Sequence, residues 1–150
     1  MNMNDVAPGG FASAGYRKLY RFGGLCLGVI FAAVGILFLF GPMSVVLFFN
    51  NLAGRWGLGE APLPGASLYL ALAAAYMSVV TLLAFGMHNR PEERVYSTLL
   101  VQAKSASAVI SVLLCFIAGL QLILVANAAV DGAIALAVAL IAYRGRIRPR

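Results

Sequence analysis

Charged residues along this chain fall in short clusters, and the runs between them carry no Asp, Glu, Lys or Arg: Phe22 to Gly54, Ala61 to Met87, Ser105 to Val130 and Gly132 to Tyr143. A hydrocarbon core is crossed by roughly 20 apolar residues at about 1.5 Å of rise each, so each of the first three runs is long enough for a spanning helix. The pattern predicts an all-α fold: a polytopic integral membrane protein, a four-transmembrane-helix bundle made from a single domain of 150 residues.

The first span is expected over about 22–40 and ends at Gly41-Pro42, because proline lacks a backbone donor and disfavours helix in the residue before it. Met43 to Ala53 is too short to cross and is expected as an interfacial or re-entrant helix, with Trp56 beside Arg55 as a headgroup anchor. Ala61-Pro62-Leu63-Pro64-Gly65 then turns the chain into a second span over about 66–87. Pro91 followed by Glu92 and Glu93 signals the start of a helix. With no breaker read before Ala126, the third helix is expected as one rod from about 91, embedded over about 105–126 and projecting by roughly two or three turns. Asn127 is expected to make a tight reversal into a short fourth span over about 128–143, roughly 24 Å long.

Composition sharpens this picture. A chain 62% hydrophobic and 11% charged lies outside the range of a soluble globular domain. A cleaved signal peptide is disfavoured because the stretch from Phe22 to Phe40 exceeds the roughly 7–15 residues of a signal's apolar region. The net charge of +6, set beside apolar segments, points to topology and anionic headgroups rather than to nucleic acid. Arg17, Lys18 and Arg21 precede the first span, Arg90, Arg94 and Lys104 separate the second from the third, and Arg144, Arg146, Arg148 and Arg150 close the chain. Against these stands Arg55 on the opposite side, so the positive-inside bias puts both ends in the cytoplasm and requires an even number of spans. The arginine tail reads as an anchor on anionic lipid or as a docking peptide for an acidic partner. Residues 1–15 read as flexible.

Small residues recur at every fourth position on two helices: Gly24, Gly28 and Ala32, and then Ala103, Ser107, Ser111, Cys115 and Gly119. In lipid such stripes let backbones approach closely, either inside the bundle or against another subunit or a second copy. Asp131 is read as the single ionisable group within the membrane, about one turn from the outer end of the fourth helix. It is either a carboxylate favoured by the helix N-terminus and wetted by the interface, or a proton or cation site with Gln121 and Asn127 as neighbours. Proton-coupled transport ranks second because no acidic residue is expected at mid-membrane depth. Cys26 and Cys115 read as packing residues, and His88 as a solvated loop residue. A two-histidine haem site cannot be made from one His, and neither a metal set nor a nucleophile with a base partner is apparent. The chain is therefore expected to be non-enzymatic and to bind no cofactor by itself, with lipid or quinone as the ligand classes left open.

The basic start, a first span closed by Gly41-Pro42, an apolar loop segment and a last span opening with Val130-Asp131-Gly132 together resemble the DoxX-like group of small four-helix bacterial membrane proteins. The resemblance covers most of the chain but rests on layout. It implies a bacterial inner membrane and, in some members, respiratory or quinone-linked subunits, and it carries no site residues. The leading expectation is a subunit that anchors, assembles or stabilises a larger membrane complex, with lipids and other membrane subunits, or itself, as partners. The competing expectation is a small transporter or a quinone- or lipid-binding protein, in which Asp131, Gln121, Tyr69 and Tyr76 line a cavity.

Overall fold

A computed structural model describes residues 14–63 and 68–144. Five helices follow one another: α1 (Ala14–Phe40), α2 (Pro42–Arg55), α3 (Leu68–Asn89), α4 (Arg94–Ala118) and α5 (Leu122–Arg144). Four of them, α1, α3, α4 and α5, are long and apolar enough to cross a membrane. In each, only 17–22% of the most apolar window is buried inside the bundle, so the oily surface faces outward. Leu25, Val29, Ile36, Leu82, Val109, Phe116, Ile117 and Leu136 are among the large exposed side chains. Water would not tolerate such a surface, and lipid matches it.

Each long helix turns one narrow stripe inward. The stripes are Tyr20, Gly24, Gly28 and Phe31 on α1, Val80, Ala84 and Met87 on α3, and Asp131, Ala135 and Val138 on α5, where Leu122 is also buried at the first turn. On α4 they are Ser97, Leu100, Lys104 and Ser111. Spacings of three, four and seven place each set on one helical face. The helices pack antiparallel, α1 against α3 and α4 against α5, and α3 lies beside α4.

The connections explain the boundaries. Gly41 still donates to the Leu37 carbonyl at 2.8 Å, after which Pro42 breaks α1 and opens α2 from its first position. The chain after α2 is tied back by Asn50, whose amide donates to the Ala61 carbonyl at 2.9 Å and whose oxygen accepts from the Ala61 N–H at 2.8 Å. Gly59 then donates to the Leu120 carbonyl at 3.1 Å. These contacts gather α2 and the α4–α5 connection at one end of the bundle, here called the α2 end. At the other, the hairpin end, Arg17 pairs with Glu92 at 3.2 Å between half-exposed side chains.

Two expectations about the second half are corrected. The third helix is not one rod from about 91 to 126: it starts at Arg94 after a turn through Arg90–Glu93 and stops at Ala118. Gly119, at φ +88°, takes a left-handed conformation that side-chain-bearing residues avoid. The fourth helix does not begin at Ala128. The Gln121 carbonyl accepts from Leu124 and Val125, both at 3.1 Å, so α5 opens at Leu122 and runs for 23 residues. Both helices are of spanning length, and the long rod with a short partner disappears. Asn127 lies inside α5 and makes no reversal.

Candidate functional site

Moving the start of α5 back to Leu122 changes the depth of Asp131. It stands about 13 Å along a helix of about 35 Å, near the middle of the bundle. Lys104 is similarly placed, about 15 Å from the start of α4, and not in a connection between spans as the sequence suggested. The two meet: the Lys104 Nζ donates to Asp131 Oδ1 at 2.8 Å, with the side chains only 4% and 5% exposed. Asp131 is therefore not the single ionisable group in the apolar interior, and it is paired there rather than wetted at a helix end.

The ammonium has further partners. The Phe31 ring of α1 lies over it with the centroid at 4.5 Å, and the Tyr76 ring of α3 at 5.3 Å. A cation within about 6 Å of an aromatic face is attracted by the ring quadrupole, more strongly when water is excluded. All four long helices thus contribute one side chain to the same cage: Phe31, Tyr76, Lys104 and Asp131. The Tyr76 hydroxyl is held by donating to the Ala103 carbonyl at 3.1 Å.

Toward the α2 end the α4–α5 seam stays polar. One turn from Asp131, the Asn127 amide donates to the Ser107 hydroxyl at 3.2 Å and to the Ser111 hydroxyl at 2.8 Å. Asn127 is exposed and Ser111 is 5% exposed, so the pair of bonds runs from the bundle surface inward. Toward the hairpin end the interior is mainly apolar, with buried Ser97 bonded to the Arg94 carbonyl of its own helix. Leu100 and Val80, with Tyr20, Ala84, Met87 and Val138, form one cluster with Phe31 that closes the bundle below the cage.

The remaining candidate residues are placed as follows. Gly24 and Gly28 lie against α3. A methyl group on Gly24 would meet the Ala84 carbonyl at 2.8 Å, and on Gly28 the Phe85 ring at 2.9 Å. Ala32 lines a shallow groove between the same helices. Ser107 and Ser111 serve the α4–α5 seam and Cys115 is half-buried. Gly119 belongs to the connection, where a Cβ built on it would have nothing within 4 Å, and so does not extend the packing stripe. Gln121 sits in the same connection opposite Gly59, far along the chain from Asp131 and not beside it. Trp56 is exposed at the C-terminus of α2. Arg144 ends α5, while Arg146, Arg148 and Arg150 lie outside the described residues, as does the side chain of Tyr69. His88 is no loop residue: it is in the last turn of α3, and its Nδ1 bonds the Arg21 carbonyl at 3.0 Å while the Arg21 Nε donates to the His88 carbonyl at 3.1 Å.

A separate crevice of about 360 Å³ opens between α1 and α5 near the hairpin end, lined by apolar side chains including Cys26, Leu27 and Ile134 and floored by the small residues Gly23, Ala133 and Ala137. Among the described residues no cluster of three or more His, Cys, Asp or Glu could hold a metal ion.

The signal for Lys104 was present in the sequence. It shares a helical face with Leu100, Ser107 and Ser111, and a lysine on the inward stripe of a helix points into the bundle rather than to solvent. The signal for Asn127 was likewise its spacing, four residues before Asp131 on one face. No family model matches the chain, and neither the curated proteins nor the solved structures give a match.

Proposed function

We propose that this chain is a small, non-enzymatic transporter whose working element is the Lys104–Asp131 pair, which exchanges a proton in the interior of the membrane. One observation carries the reading: all four long helices converge on a buried ion pair at mid-bundle depth. A buried ion pair is a poor device for stability alone, since well-packed apolar residues of similar volume usually do as well or better. Ionisable groups in a membrane interior are rare and mark ion or proton routes. A subunit ranks above a transporter only as long as no carboxylate lies deep in the bundle, and Asp131 stands near the middle of α5.

The charge bias supports placing the hairpin end, with Arg17, Lys18, Arg21, Arg90 and Arg94, in the cytoplasm together with both chain ends. With Lys104 removed from the count, nine basic residues still oppose Arg55. A bacterial inner membrane is proposed from what remains of the DoxX-like layout, the basic start and the first helix closed by Gly41-Pro42, since the last helix opens at Leu122 and not at Val130-Asp131-Gly132. Reporter fusions at residue 60 and at the C-terminus test the orientation; opposite-side readouts are expected, and same-side readouts would refute it.

The reading is tested in sealed liposomes carrying an internal pH dye. The wild-type chain should discharge an imposed pH gradient when a monovalent cation is supplied on the opposite side. The double variant Lys104→Met/Asp131→Leu, which removes both charges at once, should fold and leave the gradient intact. Equal discharge by both would refute the proposal.

The reading as an anchoring subunit is supported by the crevice between α1 and α5, whose small-residue floor would seat a helix of another chain. Purification in mild detergent separates the two. A stoichiometric partner favours the subunit, and the chain alone or as a homo-oligomer favours the transporter.

A further inference from the structure

We infer that the cage around Lys104 is a binding site for a monovalent ammonium ion, and that such an ion exchanges with the Lys104 proton. The inference rests on the transporter reading and names its substrate class. The cage offers one carboxylate oxygen at 2.8 Å and two aromatic faces at 4.5 and 5.3 Å to the same nitrogen. A small, strongly hydrated metal cation would need several oxygen ligands to replace its water. A carboxylate with aromatic faces instead suits an amine cation, which hydrogen-bonds the one and lies over the others. Lys104 is then a tethered occupant of a site whose walls recognise its own head group.

The exchange balances in atoms and charge. An incoming R–NH3+ takes the Asp131 carboxylate; the Lys104 ammonium releases one proton and becomes a neutral amine. One cation enters, one proton leaves, and the site remains net neutral. A net charge left in the apolar interior would carry a heavy desolvation penalty, and this stoichiometry avoids it. The groups facing the pair are compatible with it. Tyr76 from α3 is the titratable neighbour, α1 presents Phe31, and α2 buries only Val46 and Ala53 among its described residues. The route is the polar seam at the α2 end, where exposed Asn127 holds Ser107 and buried Ser111. The apolar cluster around Leu100 closes the other direction.

Thermal unfolding of the purified chain in detergent, followed by Trp56 fluorescence, provides the first test with ammonium, methylammonium and ethylammonium chloride against sodium chloride at equal ionic strength. Lys104→Ala leaves Asp131 unpaired and lowers the midpoint. The small ammonium ions should raise that midpoint toward wild type with saturation, sodium should not, and Lys104→Met/Asp131→Leu should respond to neither. If Lys104→Ala does not fold, the wild type supplies the second test: in weak buffer, added methylammonium should release protons in saturating fashion, detected with a pH dye, and the double variant should release none. Rescue equal to that by sodium, or no proton release from wild type, would overturn the ammonium assignment. A pH gradient still discharged through Lys104–Asp131 with an inorganic cation would refute this inference and leave the transporter reading standing; loss of that discharge would remove both.

Discussion

The α1–α3 and α4–α5 seams are both antiparallel contacts between helices long and apolar enough to span a membrane, yet different means hold most of their length. Between α1 and α3 the helices approach through glycine: a Cβ on Gly24 would meet the Ala84 carbonyl and one on Gly28 the Phe85 ring. Between α4 and α5 the contact runs through polar side chains: the Lys104–Asp131 pair and the Asn127 bridge to two serines. In lipid, dispersion packing and interhelical hydrogen bonds are alternative ways to hold helices, because burying apolar surface yields little there. One seam thus packs on glycine, with polar contacts confined to the Arg21–His88 bonds at the hairpin end, and the other carries a buried ion pair. The difference is the ground for placing the proposed proton exchange on α4 and α5, with Phe31 and Tyr76 as the scaffold's contribution to the cage.

This contrast can be broken by substitution. Asp131→Ala leaves an uncompensated buried ammonium and should cost about 3–5 kcal/mol of stability, whereas Lys104→Met/Asp131→Leu should return it to the wild-type level or above. Denaturant titration in mixed micelles reads both; a double variant no more stable than Asp131→Ala would mean that the pair is chiefly structural. On the other seam Gly24→Ala forces a methyl group to 2.8 Å from the Ala84 carbonyl and should cost about 1–3 kcal/mol. It should leave proton exchange intact in the molecules that fold. Asn127→Ala removes two interhelical hydrogen bonds, with an expected loss of roughly 0.6–1.7 kcal/mol and a slower gradient discharge in liposomes. The smallest effect belongs to Gly23→Ala, whose added methyl group has nothing within 4 Å: helix propensity alone should stabilise by up to about 1 kcal/mol, and a loss above about 0.5 kcal/mol in the same titration would show that α1 packs differently.

The apolar runs and the Gly41-Pro42 break made the four spanning helices legible in the sequence, because a helix that faces lipid on most sides advertises itself by composition. What misled was a single turn. Reading through Gly119 moved the α4–α5 reversal eight residues along the chain, from the Gly119–Gln121 connection to Asn127. That one shift put Asp131 near an interface and left Lys104 in a connection. The cage was therefore hidden although each of its charges was visible. Phe31 and Tyr76 could not be assigned to it from periodicity, because an aromatic residue on an inward stripe is ordinarily packing, and which stripe faces which charge is decided only when the four helices assemble.

The most direct test of the central claim observes the Lys104 proton itself. Nitrogen-15 magnetic resonance spectra would be recorded on chain reconstituted in liposomes, carrying Lys18→Arg and lysine labelled at Nζ, which makes Lys104 the one labelled amine. Conversion of the labelled ammonium to a neutral amine, saturating and reversible as a monovalent cation is added, is the predicted result. A labelled ammonium that stays protonated with methylammonium and with sodium alike, in protein that remains folded, would contradict the account and leave Lys104–Asp131 as a fixed structural pair.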